Sequence, residues 1–323
     1  MPRSQLISII IPVYNEQANI AALAAEIAAV AENSRLNCEA VWTDDGSSDD
    51  SYAEITAACR KYPFMRGIRF GRNCGQTAAI AAGISDSHGE LIVLLDADGQ
   101  NDPADIPALL RALDRDTDIV SGWRKTRRDN AITRTLPSRI ANALISGITG
   151  VRLHDYGCTL KLYRARFLKE LRLYGEMHRF MPALAGALGA RIKEIEVNHR
   201  PRINGDSKYG LERTFKVLLD LATVKFMGRY LSNPIYLFGG TGLALGGLAA
   251  ALAAVTLYKK YHLGIFVKDQ PLFAVAIFLG IVSVQVLLLG LLSEVISRTY
   301  FEINSRAPYF VRERTQEPDH EKC

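Results

Sequence analysis

Asp96-Ala97-Asp98-Gly99-Gln100 directly follows the apolar run Leu91–Leu95. In extended backbone, residues i, i+2 and i+4 face the same way. Asp96, Asp98 and Gln100 are therefore expected to aim three oxygen-bearing side chains at one point. Hard divalent cations with phosphate ligands want such a donor set. The plain alternative is a solvated acidic turn, and placement at a strand end favours the metal. A second acidic cluster, Asp44-Asp45-Gly46-Ser47-Ser48-Asp49, follows another β-rich run. Asp49 suits a helix N-cap. That leaves Asp44 and Asp45 to accept hydrogen bonds from a base or ribose. A third run ends in Pro12-Val13-Tyr14-Asn15-Glu16. A rigid turn, an acidic loop and a metal-type triad at three neighbouring strand ends read as a nucleoside-diphosphate site.

The elements that must carry these residues follow from hydrophobic periodicity. Near-continuous apolar or β-rich runs predict strands at Ile7–Val13, Glu39–Thr43, Met65–Phe70, Leu91–Leu95 and Asp118–Ser121. Helix-length segments separate them at Asn19–Ala31, Asp50–Tyr62, Thr77–Ser87 and Pro103–Leu113. Unbroken apolar strands belong to a parallel sheet covered on both faces. The expectation is a doubly wound α/β domain with its ligand at the carboxyl ends of the strands. Further on, helices are expected at Thr133–Ile148 and Arg179–Leu188, and a strand at Ile192–His199.

The C-terminal third changes character. Leu211–Phe226 reads as an amphipathic helix, either packed on a core or lying at a bilayer interface; Lys and Arg on its polar face favour the interface. Tyr230–Tyr258 and Gln270–Ser293 contain no Asp, Glu, Lys or Arg, and each exceeds the roughly 20 residues needed to cross a bilayer. They predict a transmembrane hairpin with spans at about 234–258 and 271–293. Arg213, Lys216, Lys225 and Arg229 precede it and Arg298, Arg306, Arg312 and Arg314 follow it, against Lys259, Lys260 and Lys268 in the loop. That bias places both termini in the cytosol. Gly242 and Gly246 form a GxxxG motif, a candidate helix-contact face.

Composition excludes several classes. Hydrophobic residues make up 48% and charged residues 23% of the 323, so the chain is not disordered. A net charge of +5 without a long basic run argues against nucleic acid and suits work beside anionic lipid. Five scattered cysteines, Cys38, Cys59, Cys74, Cys158 and Cys323, indicate neither a disulfide framework nor a zinc site. Leu6–Val13 is too short, and broken by Pro12, for a signal peptide. The histidines form no ligand cluster, and no role is expected of them.

The motifs Pro12–Glu16, Asp44–Ser47, Arg72-Asn-Cys-Gly75-Gln76 and Asp96-Ala-Asp98, in this order, resemble the family-2 glycosyltransferases of GT-A fold. Asp155-Tyr-Gly-Cys158, Arg202-Ile-Asn-Gly205-Asp-Ser207-Lys208-Tyr209 and the terminal hairpin narrow the resemblance to the polyprenyl-phosphate glycosyltransferases. These include dolichol-phosphate mannose synthases, bactoprenol glucosyltransferases and undecaprenyl-phosphate aminoarabinose transferases. The resemblance covers roughly residues 6–312. The family commonly has Leu where this chain has Gly99, which is expected to loosen the loop.

The resemblance implies roles. Asp44 would read the base, with Pro12, Tyr14 and Glu16 lining its pocket and Asp45, Gly75, Gln76 and Asp96 completing the nucleotide-sugar site. Asp96, Asp98 and Gln100 would hold Mg2+ or Mn2+. Arg202, Ser207 and Lys208, with Arg124 and Arg179, would bind the acceptor phosphate. Asp155 is either a general base or a residue that orients the acceptor or a basic side chain. Arg124, Arg127 and Arg128 either close over phosphates or form a solvated loop.

The implied layout is a catalytic domain over 1–206, an interfacial helix over 207–232, a hairpin over 233–297 and a cytosolic tail over 298–323. The expected protein is an inverting sugar transferase at the cytosolic face of the inner membrane. Its donor is expected to be UDP-linked, of aminoarabinose type with glucose second, and its acceptor polyprenyl phosphate. A homo-oligomer, with a tetramer as the candidate size, is expected through the membrane region. Two rivals stand. A processive polysaccharide synthase would carry a QxxRW motif, which neither Trp42 nor Trp123 fits. A non-catalytic nucleotide-binding membrane protein would not need Asp96, Asp98, Arg202 and Lys208 intact.

Overall fold

The structure, a computed structural model, describes residues 5–125, 145–200 other than 148, 172, 174 and 176, and 234–303. It divides into two compact units, Met1–Val224 and Lys225–Cys323. The helix expected at Leu211–Phe226, most of that at Thr133–Ile148, and Arg127, Arg128, Arg202, Ser207 and Lys208 lie outside the described residues.

The first unit is built on a seven-stranded sheet. Its strands are β1 (Ile7–Val13), β2 (Cys38–Asp44), β3 (Met65–Arg69), β4 (Leu91–Leu94), β5 (Ile119–Trp123), β6 (Lys161–Arg164) and β7 (Ile192–Glu196), in the order β3-β2-β1-β4-β6-β5-β7. Every residue of β1 is buried, as a central parallel strand requires. α1 (Gln17–Asn33) buries Ile20, Leu23, Ala24 and Ile27, one face at helical spacing. α2 (Ser51–Lys61), α3 (Gln76–Asp86) and α4 (Ile106–Ala112, entered by a 3-10 turn at Pro103–Asp105) follow β2, β3 and β4. Parallel pairing sets Val13 beside Asp44 and Asp44 beside Arg69, while Ile10 stands beside Leu94. The carboxyl ends of β1, β2 and β4 therefore meet on one edge.

β6 and α5 (Ala165–Glu170) were not legible from periodicity. β6 runs antiparallel to both β4 and β5, with Lys161 opposite Leu94. The chain entering β6 thus arrives at the edge that the parallel strands leave, bringing Asp155–Leu160 to the site. The helix expected at Arg179–Leu188 is a 3-10 turn, Met177–Phe180, followed by α6 (Met181–Ala187). β7 ends at Glu196 rather than His199. Val197 still donates its N–H to the Trp123 carbonyl at 3.1 Å; beyond it the chain leaves β5 and makes a separate antiparallel bridge, His199 to Asn101.

Two local expectations change. Asp96–Gln100 is a turn, not extended backbone: β4 stops at Leu94, and Gly99 has φ +71°. Gly99 takes a left-handed position that disfavours a side chain, so it shapes the loop rather than loosening it. The N-cap position of α2 is Asp50, yet the Asp49 carboxylate accepts the Ser51 N–H at 3.0 Å and the Gln17 N–H at 3.3 Å. One side chain therefore steadies the starts of two helices.

The second unit is a helical hairpin, α7 (Pro234–Leu263) and α8 (Pro271–Ile303). Both are long and apolar enough to cross a membrane, and their apolar residues are mostly exposed. Each outruns its expected span, because a helix continues through Lys259 and Lys260 and through Arg298 once the backbone bonds are made. The buried seam is Gly242, Ala249 and Thr256 on α7 against Ala276, Ser283, Gly290 and Ser297 on α8. This seven-residue spacing of small side chains lets the backbones approach. The Ser283 hydroxyl donates to the Gly242 carbonyl at 2.8 Å, and a Cβ on Gly242 would lie 2.8 Å from Leu287 Cγ. The GxxxG face is used within the hairpin.

Candidate active site

Asp44 ends β2 fully buried. One carboxylate oxygen accepts the Ser47 N–H at 3.0 Å. The other lies 3.3 Å from Arg69 Nε but accepts no well-aligned hydrogen bond among the described residues. A buried carboxylate oxygen without an aligned donor is costly, and a ligand N–H would satisfy it. Asp45 behaves differently. Its carboxylate accepts from Asn73 Nδ2 at 3.0 Å, Cys74 N at 2.7 Å and Gly75 N at 2.9 Å, so it organises the loop before α3. Gly46, at φ +69°, lets that loop come close, since a Cβ there would sit 2.4 Å from the Arg72 carbonyl carbon.

Pro12 is buried in β1 and Tyr14 is exposed beyond it. Asn15, at φ +56°, is locked to the acidic loop: its N–H donates to Ser47 Oγ and its side-chain oxygen accepts the Ser48 N–H, both at 2.9 Å. The Glu16 N–H donates to Ser51 Oγ at 2.9 Å, and its carboxylate accepts from Asn19 Nδ2 at 2.6 Å. The ends of β1 and β2 thus form one cross-linked rim.

Gly75 sits at φ +95° at the start of α3. Gln76 Nε2 donates to Asp96 Oδ1 at 2.9 Å, and Thr159 Oγ1 donates to Asp96 Oδ2 at 2.6 Å. Burial first, then the Asp98 charge, pushes the Asp96 carboxyl up to about 6, although Thr159, Arg124 and Lys161 oppose the shift. Asp98 Oδ1 accepts the Gln100 N–H at 3.1 Å. Two mutually repelling, part-buried carboxylates fit a divalent cation, which would relieve the repulsion with hard oxygen donors. Among the described residues no group of three or more His, Cys, Asp or Glu could hold a metal. The remaining ligands would have to come from amide, water or the bound diphosphate.

Asp155, 1% exposed, is gripped by Arg124. Nε donates to Oδ2 at 2.7 Å and Nη2 to Oδ1 at 3.0 Å, while Gly157 N also donates to Oδ1 at 3.1 Å. Burial disfavours the Arg124 charge, but this pairing raises the guanidinium above its ordinary value. Glu194 accepts the His154 and Asp155 N–H groups at 2.9 and 3.3 Å, and His154 stacks on Trp123 with centroids 4.5 Å apart. The Asp155 loop is therefore rigidly presented, with both carboxylate oxygens accepting hydrogen bonds from Arg124.

Several residues at this edge were not expected from sequence. Lys161 is buried, and its ammonium donates to the carbonyls of Tyr156, at 3.2 Å, and Cys158. Burial lowers its pKa, opposed by Cys158, Asp155 and Asp96. The visible signal was a lone cation in the apolar stretch Leu160–Tyr163. His178, beside Arg179, contacts Thr77 Oγ1 through Nδ1 at 2.8 Å, which brings Arg179 to the start of α3. Burial, then Arg179 and Lys161, lower the His178 pKa to about 3, so its ring is neutral. His199 Nε2 lies 3.4 Å from Arg124 Nη1. With His154, three histidines thus contact residues of the candidate site, although the sequence assigned them no role.

Residues 8–172 match the sequence pattern of Glycosyl transferase family 2. The chain belongs to that family. As a family-2 glycosyltransferase, it is 42% identical to the dodecaprenyl-phosphate galacturonate synthase of Rhizobium johnstonii over 95% of this chain and 92% of the relative. It is 34% identical to an undecaprenyl-phosphate 4-deoxy-4-formamido-L-arabinose transferase of Aeromonas hydrophila, over 96% and 94% of the two chains. Its fold is shared with glucosyl-3-phosphoglycerate synthase of Mycobacterium tuberculosis, solved with Mn2+, UDP and phosphoglyceric acid. That likeness has a TM-score of 0.55 at 15% identity over 70% of this chain and 78% of that one. The mixed, mostly parallel sheet expected from the motifs is present.

Proposed function

We propose that the protein transfers a sugar from a nucleotide-sugar, by preference a UDP-sugar, to polyprenyl phosphate with inversion at the anomeric carbon. The carrying observation is the 42% identity over 95% of the chain to a relative named for a polyprenyl-phosphate product. Asp44 takes the base, and the rim of Pro12, Tyr14 and Glu16 flanks it. Asp96 and Asp98, with Gln100 nearby, hold Mg2+ or Mn2+, which when bound stabilises charge on the departing nucleoside diphosphate. Arg124 and Arg179, with Arg202, Ser207 and Lys208, receive the acceptor phosphate. Arg offers a planar fork and Lys a point charge for this task.

A phosphate monoester has its second pKa near about 6, so the acceptor is largely dianionic at neutral pH. It needs no strong base. Direct attack in one displacement inverts the anomeric centre. The test is a panel of UDP-galacturonate, UDP-4-deoxy-4-formamido-L-arabinose and UDP-glucose with undecaprenyl phosphate. The expected result is a lipid-linked product from one of these, with the uronic acid first because that relative has the higher identity. No lipid product from any donor, with metal present, refutes the reading.

The hairpin is proposed to cross the inner membrane with both termini in the cytosol, on the charge count around α7 and α8. Homo-oligomers would form through the outer faces of the hairpin, since its small-residue seam is already filled. A tag within Lys259–Gln270 is expected to be reached from the outer side in intact cells. Labelling of that tag only after the inner membrane is opened would overturn the topology.

A further inference from the structure

The chain leaving β7 is fastened to the turn that carries the candidate metal residues, and none of the roles assigned so far uses this fastening. The Arg200 N–H donates to the Gln100 carbonyl at 2.9 Å, beside the Asn101–His199 bridge. The Arg200 guanidinium divides between two elements. Nη1 donates to Glu26 of α1 at 2.7 and 2.9 Å, and Nη2 lies 2.8 Å from Asp102 Oδ1. Asp102 also accepts the Ala104 N–H at 3.0 Å and Asn198 Nδ2 at 3.0 Å, while the Asn198 N–H donates to Asp105 Oδ2 at 2.7 Å.

The metal turn is anchored at its start by β4 and by the Gln76 and Thr159 bonds to Asp96. Its far end, Gln100–Asp102, meets Asn198–Arg200. The same three residues deliver His199 Nε2 to 3.4 Å from Arg124 Nη1, the guanidinium nitrogen that Asp155 does not take. One short segment therefore touches both the turn bearing Asp98 and the cation clamped by Asp155. It is held in place by an arginine fork spanning α1 and Asp102.

Resting on the transferase reading above, we propose that Arg200 is a positioning residue for sugar transfer. It registers the Asp98–Gln100 turn against Arg124 by fixing the segment that bridges them. Arginine is needed because a lysine can satisfy Glu26 or Asp102 as a point charge but lacks the planar fork that reaches both.

The experiment uses the full chain in detergent, with Arg200→Ala and Arg200→Lys, and Glu26→Gln as a one-arm variant. Mn2+ is titrated by electron paramagnetic resonance, alone and with UDP, and transfer kinetics and melting temperature are measured in parallel. Outer-shell partners of metal ligands typically contribute about 10- to 100-fold to metal affinity. Arg200→Ala is therefore expected to weaken Mn2+ about tenfold and to lower kcat by a similar factor. KM for the nucleotide-sugar should stay within about threefold, since the base end at Asp44 is untouched. Arg200→Lys should recover part of both losses, and Glu26→Gln should lose less than either.

Mn2+ affinity and kcat unchanged in Arg200→Ala would overturn the proposal. So would a uniform loss in Arg200→Ala and Arg200→Lys that tracks a fall in melting temperature, because that is the mark of a purely structural ion pair. If Arg200→Ala does not fold, graded Mn2+ weakening in the other two variants supports the proposal, and no change in them overturns it. Wild-type protein that binds Mn2+ yet transfers no sugar would instead refute the transferase reading.

Discussion

Asp98→Ala is expected to lower sugar transfer by about 10²- to 10³-fold, the cost of removing one preorganised group that stabilises developing charge, while the protein still folds. Asp98 raises the Asp96 pKa, so deleting it removes a repulsion from a part-buried carboxylate, at the cost of the hydrogen bond that Asp98 accepts from the Gln100 N–H. EDTA should reduce wild-type activity to a similar level and leave the variant nearly unchanged. Full activity in either condition would defeat the metal assignment.

The same pair makes a signed pH prediction for metal-free protein. An aspartate whose folded pKa is raised from 3.8 to about 6 holds its proton more tightly in the native state. Stability from that site is greatest below the unfolded pKa and falls as pH rises through about 6. Asp98→Ala lowers the folded pKa of Asp96. Its melting temperature should therefore gain on wild type between about pH 4 and 6. Parallel melting curves across this range would refute the coupling.

Asp155→Asn is expected to cost about 10- to 150-fold in kcat/KM, the range for losing a charge-assisted hydrogen bond of about 1.5–3 kcal/mol. The physical route is Arg124. With both Asp155 oxygens holding the guanidinium, the carboxylate is poorly placed to accept a proton from substrate. Arg124→Ala should therefore lose a comparable amount. The double variant should be no worse than the weaker single, because both act on one pair. The acid limb of the rate profile, set by the acceptor's second ionisation near about pH 6, should persist in Asp155→Asn. Loss of that limb, or an inactive Asp155→Asn beside a nearly normal Arg124→Ala, would restore Asp155 as a general base.

What the sequence determined by itself was local and periodic. Near-continuous apolar or β-rich runs identified β1, β2 and β4, because strands buried on both faces have little room for polar side chains. Residues at or just after the carboxyl ends of those strands share one edge of the sheet, so Asp44, Asp96 and Asp98 were legible as a candidate group. The hairpin was legible because two charge-free runs long enough to cross a bilayer stand out whatever the rest of the protein does. Which small residues of α7 would meet α8 was legible only as a motif; the seven-residue seam needed both helices.

Only the tertiary structure decided the rest of the site. β6 is four residues long and contains a lysine and an arginine, so no period identified it. Its antiparallel insertion between β4 and β5 carries Thr159 to Asp96 and Asp155 to Arg124. Those partners are 63 and 31 residues apart in the chain. The separate duties of Asp44 and Asp45 were equally hidden, because neighbouring carboxylates look alike until the Asn73–Gly75 loop folds onto one of them. The turn at Gly99 and the fork of Arg200 depend on what lies across from them. Long-range hydrogen bonds choose their partners by geometry in space, and residue spacing along the chain does not record it.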